Sequence, residues 1–484
     1  MKLKKILEEL NYSSFTGDMS VNITGIACDS RKVQEGYLFV CIDGIDEDGH
    51  AYIEKAKENG AICVVVSKEV INPFDNVIMV EDGRLALSSI ASIFYDHPSK
   101  KLKLVGVTGT KGKTTIAMMI KTMLDCDHKE ASLSGTLGMF IGDEHIPTKN
   151  TTPNALDLQT FFYNSLKKGI HYSVMEVASI ALKQKRVENM DFDIGIYTNL
   201  AKTHIGKREH EDFNDYLVSK AQLFTKCKTG IFNMDDLYYL EMIKNSTCEL
   251  ITYSYRNTNA GVYARNVVKD GVYTHFTYIG LGREINVTSS LPGSFNVLNA
   301  LAAITACVLL DVSNEAIIEG LLLTRVKGRC EVLETETPYK VMIDYAHNQS
   351  SLLKLLSEIK EGVKGKVITV FGCGGDRDND MRYEMGEIAG NLSDFTVITS
   401  DNPRTEQPES IIAMIEEGMR RTEGNYICIT DRTEAIRYAM ENAEADDLVI
   451  LAGKGHEIYI EKNNIRTHYD EREIVAEILE EQKK

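Results

Sequence analysis

The sequence predicts an α/β protein built on parallel sheets and divided into about three domains. Three observations predict it. Residues 102–115 read L-K-L-V-G-V-T-G-T-K-G-K-T-T: an apolar, β-branched run, a turn containing Gly109 and Gly112, then apolar residues at helical spacing over 116–124. In residues 331–484, five apolar runs end in polar tails and are separated by helical stretches, the pattern of a doubly wound parallel sheet. The length, 484 residues, accommodates three domains of about 150 residues each.

Composition narrows the function classes. Fifty-four basic and 71 acidic residues leave a formal charge of −17, which speaks against a nucleic-acid backbone as partner. A local basic pocket can still hold phosphate. The opening M-K-L-K-K-I-L-E-E-L reads as an amphipathic helix with acids in it rather than a secretory leader. No apolar run is long enough to span a bilayer, so membrane insertion is not expected. Ten cysteines without a C-x-x-C pair are expected as reduced thiols in a cytoplasmic protein. The eleven histidines show no zinc-type spacing, and eight prolines argue for compact domains with short connections.

The first domain is expected over 1–99. It carries Cys28-Asp29-Ser30-Arg31, the run 37–40, Asp48-Gly49-His50, a helix to Asn59 and a strand over 61–66. Taken singly, Ser30 and His50 read as a turn residue and a surface histidine. Pro98 ends the preceding helix and marks the boundary.

The second domain, 100–330, opens on the phosphate cradle. Backbone N–H groups of the Gly-rich turn and the following helix N-terminus attract phosphate. Lys113 reaches the β/γ phosphates and the Thr114 hydroxyl takes Mg²⁺ in such loops. The strict Walker pattern wants Gly at 107, where Val107 stands, so this is the variant T-G-T-x-G-K-T-T. Asn150-Thr151-Thr152-Pro153 forms a loop entering a helix over 156–166. A strand over 172–177 carries Glu176 near its end, placed for an oxygen-seeking cation. Alone, Glu176 reads as an ordinary solvated carboxylate. An apolar run over 193–198 ends in Asn199, His204 follows in a polar loop, and Lys220 sits on a helix over 215–224. The Ala-rich helix over 297–310 suits close helix packing.

In the third domain, 331–484, the five tails gather Asp344, His347, Asp376, Arg377, Asn402, Arg404, Lys454, His456 and Glu457 along one sheet edge. Ligands of open α/β sheets bind outside the carboxyl ends of the strands. Five functionalised tails on one edge therefore predict a site.

In order, these motifs resemble those of the Mur ligases, and within them the MurE type. The resemblance rests on D-S-R-x-V-x-x-G-x-L-F-V, T-G-T-K-G-K-T-T, G-T-L-G, N-T-T-P, M-E-V-A-S and Y-T-N-L. It continues through P-G-S-F-N-V-L-N-A-L-A-A, D-Y-A-H-N, F-G-C-G-G-D-R-D, S-D-N-P-R-T-E and A-G-K-G-H-E, nearly the whole chain. It implies a uridine-nucleotide-binding domain (1–99), a central phosphate-loop ATPase-type domain (100–330) and a Rossmann-like domain bringing an amino acid (331–484). The implied reaction is an ATP-dependent amide ligation in peptidoglycan precursor synthesis. ATP phosphorylates the D-glutamyl side-chain carboxylate of UDP-N-acetylmuramoyl-L-alanyl-D-glutamate, and the amine of meso-diaminopimelate displaces the phosphate.

The resemblance also implies residue roles. Gly109, Thr110, Lys111, Gly112, Lys113, Thr114 and Thr115, with Asn299, Arg329, Asp344 and His347, contact ATP. Thr114, Glu176, His204 and Lys220, the last as a carbamate, hold Mg²⁺. Lys113, Glu176, His204 and Lys220 serve catalysis. Ser30, Thr151, Thr152, Gln184 and Arg186 contact the nucleotide-dipeptide. Arg377, Asp401, Asn402, Arg404, Gly453 and Glu457 contact the amino acid. Arg404 is expected to grip the second carboxylate of diaminopimelate; the plainer expectation is a surface ion pair with Glu406 or Glu409. ATP and Mg²⁺ are the implied cofactors, the partners are small molecules, and a cytoplasmic monomer is expected.

Some positions depart from the family pattern. Ala178, Ser179 and Ile180 stand where Ser-Ser-His is usual, Thr203 where Asp is usual, and I-G-K-R-E-H-E-D-F is longer than L-D-Y-H-G. A hydroxyl and an imidazole are missing from one loop. Two other readings follow: a paralogue joining a different amino acid or carboxylate, and a nucleotide-binding regulatory or scaffold protein without turnover.

Overall fold

The computed structural model describes residues 1–44, 47–71, 73–203, 205–206 and 209–482. Two compact units make up the chain: Met1–Val262 with Leu301–Ile317, and Tyr263–Ala300 with Ile318–Lys484.

The first unit contains two sheets. Toward the N-terminus, strands run in the order Ser14–Thr16, Asn76–Met79, Ala61–Val66, Tyr37–Val40, Gly25–Ala27, and only the first is antiparallel to its neighbour. The second sheet places six parallel strands in the order Glu249–Ser254, Cys227–Asn233, Phe192–Tyr197, Lys103–Thr108, Tyr172–Glu176, Ala131–Gly135. The antiparallel strands Gly138–Ile141 and Glu144–Ile146 extend it. Its central strands are apolar along their length because helices cover both faces; Val105, Val107, Ile196 and Ile231 are fully buried. All six carboxyl ends fall on one edge, where the Gly-rich loop and Glu176 lie.

Two helices differ from their expected spans. The helix after the Gly-rich turn is Lys113–Cys126, because Gly112, at φ +89°, turns the chain directly into it. The Lys220 helix is Phe213–Ala221, followed by a 3-10 turn at Gln222–Thr225. Asp212 begins it by accepting a hydrogen bond from the Asp215 amide.

In the second unit, strands Tyr273–Gly280 and Arg283–Ser289 pair antiparallel. All five expected strands of the C-terminal region form. The sheet order is Glu331–Leu333, Lys340–Asp344, Leu448–Ala452, Val367–Phe371, Phe395–Ile398, Tyr426–Cys428, parallel except for the first pair. A hairpin, Tyr459–Lys462 with Ile465–His468, follows the last central strand. Among the described residues no helix is long and apolar enough to cross a membrane.

A buried ion pair ties this sheet to the C-terminal helix. Arg432 donates from Nε to Glu471 Oε1 at 2.8 Å and from Nη2 to the Ala452 carbonyl at 2.9 Å, and both side chains are buried. Removing the guanidinium strands a buried carboxylate. Arg432→Leu is expected to lower the unfolding free energy by about 3–5 kcal/mol. Urea unfolding followed by circular dichroism checks this; an unshifted midpoint would show that the pair contributes nothing.

Candidate active site

Strand Lys103–Thr108 delivers the chain into the phosphate loop. Gly109 (φ +145°) is required there: a Cβ would lie 1.8 Å from Thr198 Oγ1. The neighbouring strand end clamps the loop. Thr198 Oγ1 and Asn199 Nδ2 donate to the Lys111 carbonyl at 2.6 and 3.1 Å, and Asn199 Oδ1 accepts from the Lys111 amide at 3.0 Å. Sequence reasoning marked Asn199 as a strand end but missed this clamping role. Its signal was the polar pair that follows the apolar run.

Two lysines converge on one carbonyl. Lys113 Nζ donates to Gly109 O at 2.8 Å and Thr110 O at 3.2 Å, and Lys220 Nζ donates to the same Gly109 O at 2.9 Å. Lys220 is 2% exposed and packs over the Tyr216 ring, 4.7 Å from its centroid. Burial, and then the Lys113 charge, push the Lys220 amine well below its ordinary pKa. Both causes disfavour the charged form of the Lys220 amine.

Glu176, 1% exposed, accepts from the Thr136 amide at 2.8 Å and the Thr136 hydroxyl at 3.2 Å. It forms no ion pair among the described residues. Thr114 and Thr115 are buried in the first turn of the loop helix. His204 lies outside the described residues.

The expected dipeptide contacts assemble next to this loop. Thr152 Oγ1 donates to the Glu176 carbonyl at 2.8 Å and accepts from the Ala178 amide at 2.9 Å. Thr151 and Thr136 share a hydroxyl–hydroxyl contact of 3.1 Å. Arg186 donates to the Thr152 carbonyl at 2.7 Å and to Gln184 Oε1 from Nε and Nη2 at 3.1 and 2.6 Å. Those partners are neutral oxygens. Burial and nearby Arg84 lower the Arg186 pKa, the condition of a guanidinium that lacks an anion. A cavity of about 310 Å³ joins Gly109, Lys113, Thr151, Thr152, Arg186 and Lys220. Ser30 is buried at the start of the 3-10 turn Ser30–Lys32, where its carbonyl accepts from Asn59.

The imidazole missing after Ser179 is supplied from elsewhere. His210, from the longer loop, places Nε2 2.8 Å from Ser179 Oγ and Nδ1 3.2 Å from Asp215 Oδ2. Asp215 also accepts from Lys183 at 2.5 Å and from the Glu211 amide at 3.0 Å. Position 180 lacks the imidazole, as expected for that loop, and His210 places another beside Ser179.

The second unit holds the other expected groups. Arg329 lies over the Tyr345 ring at 4.8 Å, and the Tyr345 and His347 rings are 4.5 Å apart. Asp344 Oδ2 accepts from the Cys330 amide at 2.8 Å, and Asn299 donates to Asn296 at 3.0 Å. Asn402 donates to Glu457 Oε2 at 2.8 Å and accepts from Lys454 at 3.2 Å. Burial raises the Glu457 pKa. Asp401 Oδ2 is buried without a hydrogen-bond partner among the described residues, facing Gly453, where a Cβ would stand 2.7 Å away.

Arg404 has a left-handed backbone (φ +51°), held by its amide on Glu461 O at 3.0 Å and its carbonyl on the Asn463 amide at 2.7 Å. Its guanidinium donates to the Gly375 carbonyl. The ion pair with Glu406 does not form: Arg382 takes that carboxylate with two bonds of 2.7 and 2.9 Å. Among the described residues Arg404 has no carboxylate partner, and Arg377 is exposed with none either.

A clamped phosphate loop, a buried carboxylate and a cation-lined cavity define a nucleotide-dependent enzyme of the phosphate-loop class. Family models match along the chain: "Mur ligase family, catalytic domain" at 22–95, "Mur ligase middle domain" at 107–307 and "Mur ligase, glutamate ligase domain" at 328–455. The chain belongs to the Mur ligase family. It is 42% identical to a UDP-N-acetylmuramoyl-L-alanyl-D-glutamate--2,6-diaminopimelate ligase of Caldanaerobacter subterraneus, with all of both chains covered. It is 43% identical to diaminopimelate ligase 1 of the same description from Clostridium acetobutylicum, over 99% of this chain and 100% of that one. A solved structure of a UDP-N-acetylmuramoyl-L-alanyl-D-glutamate--2,6-diaminopimelate ligase superposes with a TM-score of 0.77 at 29% identity, covering 100% of this chain and 99% of the other.

Proposed function

We propose that this chain joins meso-diaminopimelate to UDP-N-acetylmuramoyl-L-alanyl-D-glutamate, using ATP and passing through an acyl phosphate, in peptidoglycan precursor synthesis. The observation that carries the reading is the cavity in which the phosphate loop, Lys113, Lys220, Thr152 and Arg186 meet. Full-length similarity to ligases of that description supports it. The reading assigns 1–99 to the uridine nucleotide, 100–330 to ATP and 331–484 to the amino acid.

A carboxylate is a poor electrophile at neutral pH, so it must be activated. The γ-phosphoryl group of ATP moves to the dipeptide's carboxylate, and Lys113 meets the charge on the transferring oxygens. Arg186 offers a half-buried guanidinium for an anionic group of the dipeptide substrate, and Thr151 and Thr152 shape the wall beside it. The reading gives Asn299, Arg329, Asp344 and His347 to ATP. Asp401, Asn402, Arg404, Gly453 and Glu457 serve the amino acid, with Arg377 beside them.

The donors fit Mg²⁺. Glu176 is a buried carboxylate with no cation among the described residues, and Thr114 supplies a hydroxyl in the loop helix. These are the oxygen ligands a hard cation takes. Bound there, Mg²⁺ would offset phosphate charge. Among the described residues no three His, Cys, Asp or Glu side chains cluster for a metal. The reading adds Lys220, as a carbamate, as a further oxygen ligand. Carbamate formation needs a neutral amine, whose lone pair bonds CO₂ carbon as the nitrogen loses a proton; burial shifts Lys220 toward that form. With ¹³CO₂, a carbamate carbon signal is expected that vanishes in Lys220→Ala. Lys220→Ala should be inactive and partly restored by a short carboxylic acid. An active enzyme lacking the signal at saturating bicarbonate would contradict the assignment.

Phosphate release, assayed with ATP, the nucleotide-dipeptide and a panel of amino acids, tests the function. Release is expected to require both the dipeptide and diaminopimelate. Release that ignores the dipeptide would refute the reading.

A further inference from the structure

Ser179 and His210, the latter backed by Asp215, line the same cavity as the phosphate loop and are unused by the steps above. We propose that Ser179 and His210 carry away the proton released when the incoming amine attacks the acyl phosphate. This rests on the acyl-phosphate reading.

The reaction needs a proton acceptor at this point. The attacking amine becomes a cationic nitrogen on bonding to carbon, and the amide forms only after that nitrogen loses a proton. Lys113, Lys149 and Arg186, which line the cavity, are cations with nothing to accept it, and Lys220 is committed to the metal as the proposed carbamate. The Glu176 oxygens accept from Thr136 and are the carboxylate proposed for the metal. Glu209 is exposed.

The imidazole is built to accept. Asp215, held down to about 2 by hydrogen bonds from Lys183 and the Glu211 amide that outweigh the upward push of burial, is a carboxylate at neutral pH. It therefore takes the His210 Nδ1 proton as a hydrogen bond, and Nε2 is left with a lone pair toward Ser179 Oγ, 2.8 Å away. Burial, opposed by the Asp215 charge, lowers the His210 pKa. Among the described residues, the charged and titratable groups facing the ring include Asp215, Lys183, Lys220 and the Tyr216 phenol, whose ring centroid is 5.1 Å away. The arrangement is that of a nucleophile–base–carboxylate triad, but here the hydroxyl relays a proton rather than attacking.

The step balances. The amine lone pair forms the N–C bond. The cationic nitrogen gives its proton to Ser179 Oγ as the serine proton passes to His210 Nε2. The C–O bond to phosphorus breaks, and phosphate leaves with that electron pair. The imidazolium formed opposite Asp215 then releases its proton to water. Ser179 touches the substrate; His210 acts through it as a positioning residue.

The test separates activation from amide formation. The full chain is given ATP, Mg²⁺ and the dipeptide, with either diaminopimelate or hydroxylamine as acceptor. Hydroxylamine is a weak base that sheds its proton to water without help. For His210→Gln and Ser179→Ala, kcat for amide formation should fall by about 10²–10⁴-fold, with KM for the amino acid little changed and hydroxamate formation retained. The acidic limb of the wild-type pH–rate profile should disappear in His210→Gln. Amide and hydroxamate formation falling together would overturn the proposal and make Ser179 and His210 a brace for the loop. Unchanged amide formation in either variant would overturn it too. Wild-type protein that forms no hydroxamate would instead refute the acyl-phosphate reading.

Discussion

Lys113→Ala is expected to lower turnover by about 10²-fold or more while leaving the fold intact. Lys113 packs no core. Its Nζ lies on the Gly109 and Thr110 carbonyls at the start of the loop helix. The charge it brings has most value where phosphoryl oxygens gain charge in the transition state, inside a site walled from water. The variant should also relieve the repulsion that depresses the Lys220 amine, since the Lys113 charge is the second cause of that shift after burial. Phosphate release measured beside a urea unfolding curve checks this. Near-wild-type release from a folded variant would sink the phosphate-loop assignment.

Arg404→Ala is expected to cost far more with meso-diaminopimelate than with L-lysine. The two differ chiefly at the far end, where diaminopimelate carries an extra carboxylate. A guanidinium grips a carboxylate with two parallel hydrogen bonds, and lysine offers it no anion. Sites built around such a polar partner reject analogues lacking it by roughly 10⁴-fold in favourable cases. Arg404 suits this role because Glu406 is already committed to Arg382. Its left-handed backbone is a strain that persists only where surrounding contacts enforce it, and such outliers gather at ligand sites. Steady-state rates with each amino acid decide the matter. Equal use of lysine and diaminopimelate by the unmodified protein would remove the selectivity claim.

Much of this was legible in the sequence because the signals are local. The Gly-rich turn announces itself within a dozen residues, since only glycine tolerates the backbone at 109 and 112. The five apolar runs of the C-terminal region all became strands, because a parallel sheet buried on both faces needs uninterrupted apolar sequence. What stayed hidden depends on side chains far apart in the chain. Ser179 and His210 are 31 positions apart, and no periodicity links a helix start to a loop that follows a different strand. The absent histidine at 180 therefore read as a loss when the imidazole arrives from the longer loop. Glu406 was the natural local partner of Arg404, yet it pairs with Arg382, a buried arginine on the helix Asp380–Leu392. Competition between two arginines for one carboxylate is settled by burial, which linear spacing does not encode.

The phosphoryl group is expected to pass through the substrate's carboxylate. Labelling the D-glutamyl side-chain carboxylate of the nucleotide-dipeptide with ¹⁸O tests it directly. Collapse of the acyl phosphate onto the amine must leave one carboxylate oxygen on the departing phosphate. We expect each phosphate released during turnover with diaminopimelate to carry one ¹⁸O from the substrate, read by mass spectrometry. Phosphate released without label, alongside normal amide formation, would contradict the account.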